Sequence, residues 1–318
     1  MVTLRIASRG SELALWQAHA VESALLAADP DAEIRIDVIK TVGDKILDVP
    51  LAKIGDKGLF TKELDEALLS GAADLAVHSL KDVPTRLPDG LVIAAITVRE
   101  DPRDVLILPP GRTGSLASLP AGARVGTSSL RRRAQLQARR PDLEVLDLRG
   151  NLNTRLAKLD RGDYEAIILA AAGVLRLGWA DRIAESLDPS DWLPAVGQGA
   201  LAVVARSDDD AVLQRLRPLH HEHTADAVIA ERALLRALEG GCQVPIGALG
   251  GILDDRLVLH GLVAAPDGET ILRASLEGAP EDADALGRSL AAELLRLGAG
   301  EILAQIRREV PAATPGQP

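Results

Sequence analysis

The pattern of the chain predicts an α/β fold in two similar halves, followed by a small α+β unit. Three observations carry this. A strand, a Ser-containing turn and a helix follow one another at the start of the chain, and the same plan returns at Arg124. Beyond Ala248, apolar runs are separated by Asp254-Asp255 and Pro266-Asp267-Gly268, which reads as an antiparallel meander. The length, 318 residues with 47% hydrophobic content, suffices for two or three domains around a sizeable core.

In the first half, Leu4 to Ala7 reads as a buried strand. Ser8-Arg9-Gly10-Ser11 turns into a helix from Glu12 to about Ala28, with Ser11 or Ser8 as its cap. Such a start places backbone N–H groups where an anion can sit. Ile34 to Ile39 alternates as a strand. Lys53-Ile54-Gly55-Asp56-Lys57-Gly58 reads as a charged loop, mobile or merely solvated. Phe60, the only Phe, precedes a helix over Thr61–Leu69 that Gly71 ends, and core packing is its default role. Asp74 to Val77 is a short strand leading to His78-Ser79-Leu80-Lys81-Asp82-Val83-Pro84. A charged pair just past the carboxyl end of a strand is a usual place for chemistry in an α/β sheet. Lys81 and Asp82 are therefore either a site or a plain surface ion pair. Leu91 to Thr97 is another strand.

Asp101-Pro102-Arg103-Asp104 and Pro109-Pro110-Gly111 punctuate the chain and suggest a domain boundary. The second half begins at Arg124-Val125-Gly126. Thr127-Ser128-Ser129 opens a helix that carries Arg131, Arg132 and Arg133 and ends near Arg139 and Arg140. Leu143 to Leu148 is a strand leading to Arg149-Gly150-Asn151. Arg155 lies in the next helix, Ala166 to Ala170 is a strand, and Arg176 precedes Gly178. Arginines at strand ends and helix starts in a protein of net charge -10 suggest an anionic ligand. The planar fork of Arg suits carboxylates. Arg131, Arg132 and Arg149 fit that role. Arg139 and Arg140 read better as a solvated helix C-terminus.

Pro194-Ala195-Val196-Gly197-Gln198-Gly199-Ala200 turns into a strand, Leu201 to Ala205, followed by a helix over about Asp209–Leu219. The helix from about Thr224 leads to Gly240-Gly241-Cys242-Gln243-Val244-Pro245, a turn holding the only cysteine. A thiol there can be a nucleophile, a covalent attachment point or a small buried hydrophobe. His220, His221 and His223 lack the HExxH spacing and read as a helix-start cluster, so no metal is expected. Two more helical patterns cover about Asp282–Leu297 and Glu301–Arg308. One cysteine excludes an internal disulfide and fits a reducing compartment, so a cytoplasmic protein is expected, with no membrane span and no signal peptide. Net acidity and an aromatic content of 2% argue against nucleic-acid binding.

Read together, these stretches resemble the porphobilinogen deaminases, or hydroxymethylbilane synthases. The resemblance runs from about Leu4 to Ile306. It rests on Leu13-Ala14-Leu15-Trp16-Gln17-Ala18, Gly58-Leu59-Phe60, Ala76 to Pro84, Gly126 to Arg132, Leu148-Arg149-Gly150-Asn151, Pro194 to Ala200 and Glu239 to Pro245, in order and at compatible spacing. Glu12 stands where Pro is commoner, and Arg133 extends the Arg pair. The resemblance implies two α/β domains like the halves of a periplasmic-type binding protein, flanking a cleft, and a small C-terminal α+β domain. Their implied extents are 1–99 with 200–219, 100–199, and 220–318.

The implied reaction joins four porphobilinogen molecules head to tail into hydroxymethylbilane, with loss of ammonia at each step. A dipyrromethane cofactor, bonded to Cys242 by a thioether, is the implied primer. Asp82 is implied as the catalytic carboxylate, beside a pyrrole N–H that becomes positive. Lys81, Asp82, Ser129, Arg131, Arg132, Arg149 and Gly150 are implied as cofactor contacts. Arg9, Ser11, Phe60, Arg149, Arg155, Arg176 and Gln198 are implied as substrate contacts, with Ser128 in the carboxylate-binding set and Lys53 and Lys57 on a closing loop. The family suggests a monomer. A non-catalytic anion-binding module would suit the first two domains but leaves the Cys242 domain unexplained.

Overall fold

The computed structural model describes residues 3–41, 61–238 and 244–309. Two five-stranded sheets and one three-stranded sheet organise them. The first sheet has the order β2-β1-β3-β10-β4, from β1 (Leu4–Ser8), β2 (Ile34–Val38), β3 (Leu75–Ser79), β4 (Leu91–Ile96) and β10 (Leu201–Arg206). The second has the order β7-β6-β8-β5-β9, from β5 (Asp104–Ile107), β6 (Arg124–Gly126), β7 (Glu144–Leu146), β8 (Ala166–Ala170) and β9 (Ile183–Ser186). In each, the first three strands are parallel and the fourth runs antiparallel to both neighbours.

The fourth strands are exchanged. β5 follows β4 in sequence but lies in the second sheet, and β10 follows β9 but lies in the first. Two segments, 97–103 and 187–200, therefore carry the chain between the sheets. The expected α/β halves are present, and the second sheet takes a strand at Asp104, ahead of the pattern read from Arg124. Punctuation by Pro102 and Pro109-Pro110 hid β5, a four-residue strand whose partner β8 lies some sixty residues on.

Helices cover both faces of each sheet. α1 (Glu12–Ala28) packs Ala18, Val21 and Leu25 on Ile6, Leu75 and Val77, while α2 (Lys62–Leu69) packs Leu64 and Leu68 on Ala7 and Ala76 from the other side. This follows from strand alternation, since successive residues of β1 and β3 face opposite helices. α3 (Leu130–Arg139), α4 (Leu152–Asp160) and α5 (Ala171–Arg176) serve the second sheet likewise, and α6 (Asp210–Leu216) returns to the first. The third unit is α7 (Glu222–Ala237), the meander β11 (Ile246–Leu253), β12 (Arg256–Ala264) and β13 (Ile271–Gly278), then α8 (Ala283–Arg296) and α9 (Ala299–Glu309). Leu234, Leu259, Leu290 and Leu294 lie at its core. His221 caps α7 by accepting from Thr224 N, and His220 Nδ1 accepts from Ile96 N. The described residues hold no cluster of metal-ligating groups.

A buried carboxylate ties the third unit to both inter-sheet segments. Glu231 of α7 is fully buried and accepts from Arg99 Nη1 at 2.6 Å, Gly197 N at 2.6 Å and Gly250 N at 2.8 Å. Gly199 fixes the same region, since φ is +95° and an added Cβ would lie 2.3 Å from Glu100 O. Glu231→Gln removes the charge opposite a nearly buried Arg99. It should destabilise the protein by about 3–5 kcal/mol in urea unfolding; a loss below about 1 kcal/mol would contradict this account of the junction.

Candidate functional site

The carboxyl ends of the parallel strands of both sheets face one cleft of about 420 Å³. This is where open α/β sheets bind ligands, because the following turns and helix N-termini converge there. β1 delivers Arg9 and Ser11, β3 delivers Lys81 and Asp82, β7 delivers Arg149 and Gly150, and α4 and α5 deliver Arg155 and Arg176. Arg132 and Gln198 complete the lining. A smaller adjoining cavity of about 180 Å³ shares Lys81, Asp82, Arg132 and Gln198, adds Ser129 and Arg131, and reaches Val244 and Ile246 of the third unit. The structure thus brings together the expected site residues that it describes, except Ser128, which lines neither cavity. Cys242, Phe60, Lys53 and Lys57 lie outside the described residues. A larger surface hollow of about 940 Å³ lies on the third unit, where exposed Asp267, Glu269 and Glu301 mix with Arg307 and Arg308. That mixed, exposed lining makes it the weaker candidate, whatever its size.

Local sequence explains the placement. Ser11 caps α1 by accepting from Ala14 N, Ser129 caps α3 by accepting from Arg132 N, and Asn151 caps α4 by accepting from Thr154 N. Three helix N-termini therefore point at the cleft, each favouring negative charge. Ser128 is used otherwise: its hydroxyl donates to Leu148 O and accepts from Leu148 N, clipping the β6 turn to the end of β7. Gly150 has φ +112°, and an added Cβ would collide with the Thr154 side chain at 2.6 Å. Its carbonyl accepts from Arg155 Nε at 2.8 Å, which aims that guanidinium.

Charge dominates the cleft. Among the described lining residues, Arg9, Lys81, Arg132, Arg149, Arg155 and Arg176 face a single carboxylate, the exposed Asp82. Burial pushes Lys81 down to about 8; Asp82 opposes this and Arg132 reinforces it. Burial likewise lowers Arg155 to about 10, with Arg132 adding to the effect, and lowers Arg176 to about 10. Arg176 also donates to Gly199 O at 2.6 Å and stands 5.6 Å from the ring centroid of Trp16 across the cleft mouth. A site that costs so much to charge is built for an anionic guest.

Pattern reading missed the group that organises the arginines. Arg131 and Arg132 are not free in the cleft. Both are buried and paired with Asp104, at 2.7 Å each. Arg132 Nη1 also donates to Ile168 O, and its buried Nε has no acceptor. Gln198, expected as a substrate contact, donates from Nε2 to Asp104 Oδ1 at 2.8 Å and to Pro102 O at 2.7 Å, while its Oε1 receives Lys81 Nζ at 3.4 Å. Arg140 is not a solvated helix end. It donates to the carbonyls of Leu116, Ala117 and Leu119 and pairs with Asp142, clamping the 116–119 turn.

With the geometry set out, comparison with known proteins decides the family. Residues 4–214 match the family described as porphobilinogen deaminase, dipyromethane cofactor binding domain, and residues 225–296 match porphobilinogen deaminase, C-terminal domain. The chain belongs to the porphobilinogen deaminase family. A porphobilinogen deaminase from Syntrophobacter fumaroxidans is 54% identical over 305 residues, covering 96% of this chain and 98% of the relative. One from Moorella thermoacetica is 57% identical over 309 residues, covering 97% and 98%. Among solved structures, an arginine-specific periplasmic binding protein of Salmonella typhimurium is similar at a TM-score of 0.40 and 16% identity, covering 71% of this chain and 94% of that one. A periplasmic domain of Bordetella pertussis BvgS is similar at 0.41 and 16%, covering 68% and 86%.

The electrostatics of this deaminase cleft are open to direct measurement. The Lys81 ammonium should titrate near pH 8 in the protein without ligand, as read by ¹⁵N-edited NMR. In Asp82→Asn the midpoint should fall further, because Asp82 is what favours the charged form. A midpoint at the ordinary lysine value, or a rise in Asp82→Asn, would contradict the burial and pairing described above.

Proposed function

We propose that this chain polymerises four porphobilinogen molecules head to tail into hydroxymethylbilane, releasing ammonia at each step, on a dipyrromethane primer bonded to Cys242. The single observation that carries the reading is the cation excess of the cleft in an acidic protein. Each pyrrole of substrate and product bears an acetate and a propionate, so the growing chain is a dense polyanion. Bidentate guanidiniums and helix N-termini are the groups that hold such a chain.

The donor set fits dipyrromethane as well. The buried Arg132 Nε without an acceptor is a donor kept for a ligand oxygen, on a wall shared by both cavities. The smaller cavity reaches Val244, two residues from Cys242. When bound, the cofactor supplies an electron-rich pyrrole carbon from which the chain is extended. Lys81, Ser129, Arg131, Arg132, Arg149 and Gly150 would hold its carboxylates. Arg9, Ser11, Arg149, Arg155, Arg176 and Gln198 would receive the incoming porphobilinogen, with Phe60 against its ring and Lys53 and Lys57 on a loop over the cleft.

Asp82 is assigned the chemistry. Loss of ammonia leaves the incoming ring electron-poor, with positive charge shared by its pyrrole N–H. An exposed carboxylate in a cation-rich cleft stabilises that charge and can take the proton released when the new C–C bond forms. The domain division 1–99 with 200–219, 100–199 and 220–318 is supported by the exchange of β5 and β10. A cytoplasmic location is supported by the lone cysteine, and a monomer is what the family resemblance suggests. Net acidity and the burial of Arg131 and Arg132 speak against nucleic acid as a partner.

Cys242→Ala should fold yet carry no covalent pyrrole mass; an adduct in that variant would move the anchor elsewhere. Asp82→Asn should lower the single-turnover rate on the order of 10²–10³-fold. Asp82→Glu should keep partial activity, because the charge is retained but displaced. Near-parental turnover in Asp82→Asn would remove it from the chemistry, whatever its melting temperature.

A further inference from the structure

Asp104 opens β5 where the chain enters the second sheet, and its side chain is fully buried. Oδ1 accepts from Arg132 Nη2 at 2.7 Å and Gln198 Nε2 at 2.8 Å. Oδ2 accepts from Arg131 Nη1 at 2.7 Å and Trp192 Nε1 at 2.8 Å. All four acceptor directions of the carboxylate are used. Burial works against its charge, but the guanidiniums of Arg131 and Arg132 outweigh that and hold the group well below the usual carboxylate range.

The geometry points to Asp104 as a positioning residue for the deaminase reaction: it sets the directions of Arg131, Arg132 and Gln198, and through Gln198 that of Lys81. This rests on the reading of the cleft given above. A buried cluster of this kind is a poor way to gain stability, since apolar residues of similar volume do as well or better. What it provides is orientation at the floor of a binding site. With Nη1 and Nη2 of Arg132 fixed on Ile168 O and Asp104, its Nε is the donor left without a partner. Arg131 is held through Nη1, which donates to both Asp104 and Leu193 O, beside the cavity that reaches Val244. Because Asp104 and the carbonyls of Pro102 and Arg103 only accept, the amide of Gln198 must present Nε2 to them, which leaves Oε1 for the Lys81 ammonium. A donor at position 104 would oppose that Nε2, which the two carbonyls also hold, and push the amide away from Lys81.

Asp104→Asn keeps the shape and exchanges one acceptor oxygen for a donor. It should fold, as judged by near-UV circular dichroism, yet show a reduced fraction of molecules carrying the covalent primer by intact mass. Turnover per loaded molecule should fall by about 10²-fold, the usual cost of displacing a binding group by an ångström. Asp104→Glu, with the charge restored but shifted, should lie between Asn and the parent in both readouts.

A lower melting temperature in Asp104→Asn with parental occupancy, kcat and KM would overturn the inference, because that is what a purely structural role predicts. Should Asp104→Asn not fold, Asp104→Glu decides alone: turnover per loaded molecule should drop at least about tenfold, and parental values overturn the inference. The Asp82 variant separates the two levels. Full turnover in Asp82→Asn rejects the reading of the cleft itself. A slow Asp82→Asn beside Asp104 variants that load and turn over like the parent rejects the positioning role alone.

Discussion

One buried carboxylate, Asp104, fixes the relation between the two sheets and the cleft they form. It stands at the end of one inter-sheet segment and receives Gln198 from the other, while Arg131 and Arg132 reach it from α3. Four donors around one ionised group leave little slack, because displacing any of them leaves a buried polar atom unsatisfied. Glu231 repeats the device on the side of the third unit, where Arg99, Gly197 and Gly250 meet it. The two acids lie on different elements, yet together they hold both segments, 97–103 and 187–200. The helix that carries Glu231 ends at Ala237, five residues before Cys242 in sequence.

The cleft in turn shows how a net charge of -10 coexists with a polyanion site. Cations are concentrated where strand ends and helix N-termini converge. Elsewhere arginines are spent on local carboxylates, as in the Arg5–Asp74, Arg124–Glu165 and Arg206–Asp209 pairs. Those pairs lie near the surface and contribute little to stability. In the cleft, by contrast, burial lowers the pKa values of Lys81, Arg155 and Arg176. Their repulsion is relieved when a ligand brings carboxylates, which makes binding and conformational stability interdependent.

Elements with strong local periodicity were legible in the sequence. α1, α7, the meander and the strand–Ser turn–helix starts follow from spacing and caps, and the arginines stood out because they sit at element ends in an acidic chain. What stayed hidden depends on contacts distant in sequence. β5 is four residues between prolines, and only pairing with β8 and β9 makes it a strand. Asp104 looked like part of a loop, since its partners lie 27, 28, 88 and 94 residues away. Glu231 and Arg232 are charged residues on α7 of types that are mostly exposed. In fact Glu231 is buried toward Arg99, and Arg232 donates to the carbonyls of Val83 and Pro84. No local pattern separates such residues from solvated ones, because burial is decided by the packing of other elements.

The central claim is that one chain holds a covalent primer and extends it stepwise in this cleft. Intact-mass spectrometry of the parent protein, mixed with limiting porphobilinogen and quenched, tests it most directly. The account predicts a protein heavier than its chain by a dipyrromethane unit, with further species each heavier by one pyrrole unit, collapsing back to the first mass as substrate is consumed. A primed protein whose mass never changes on mixing, while product still forms, would contradict it.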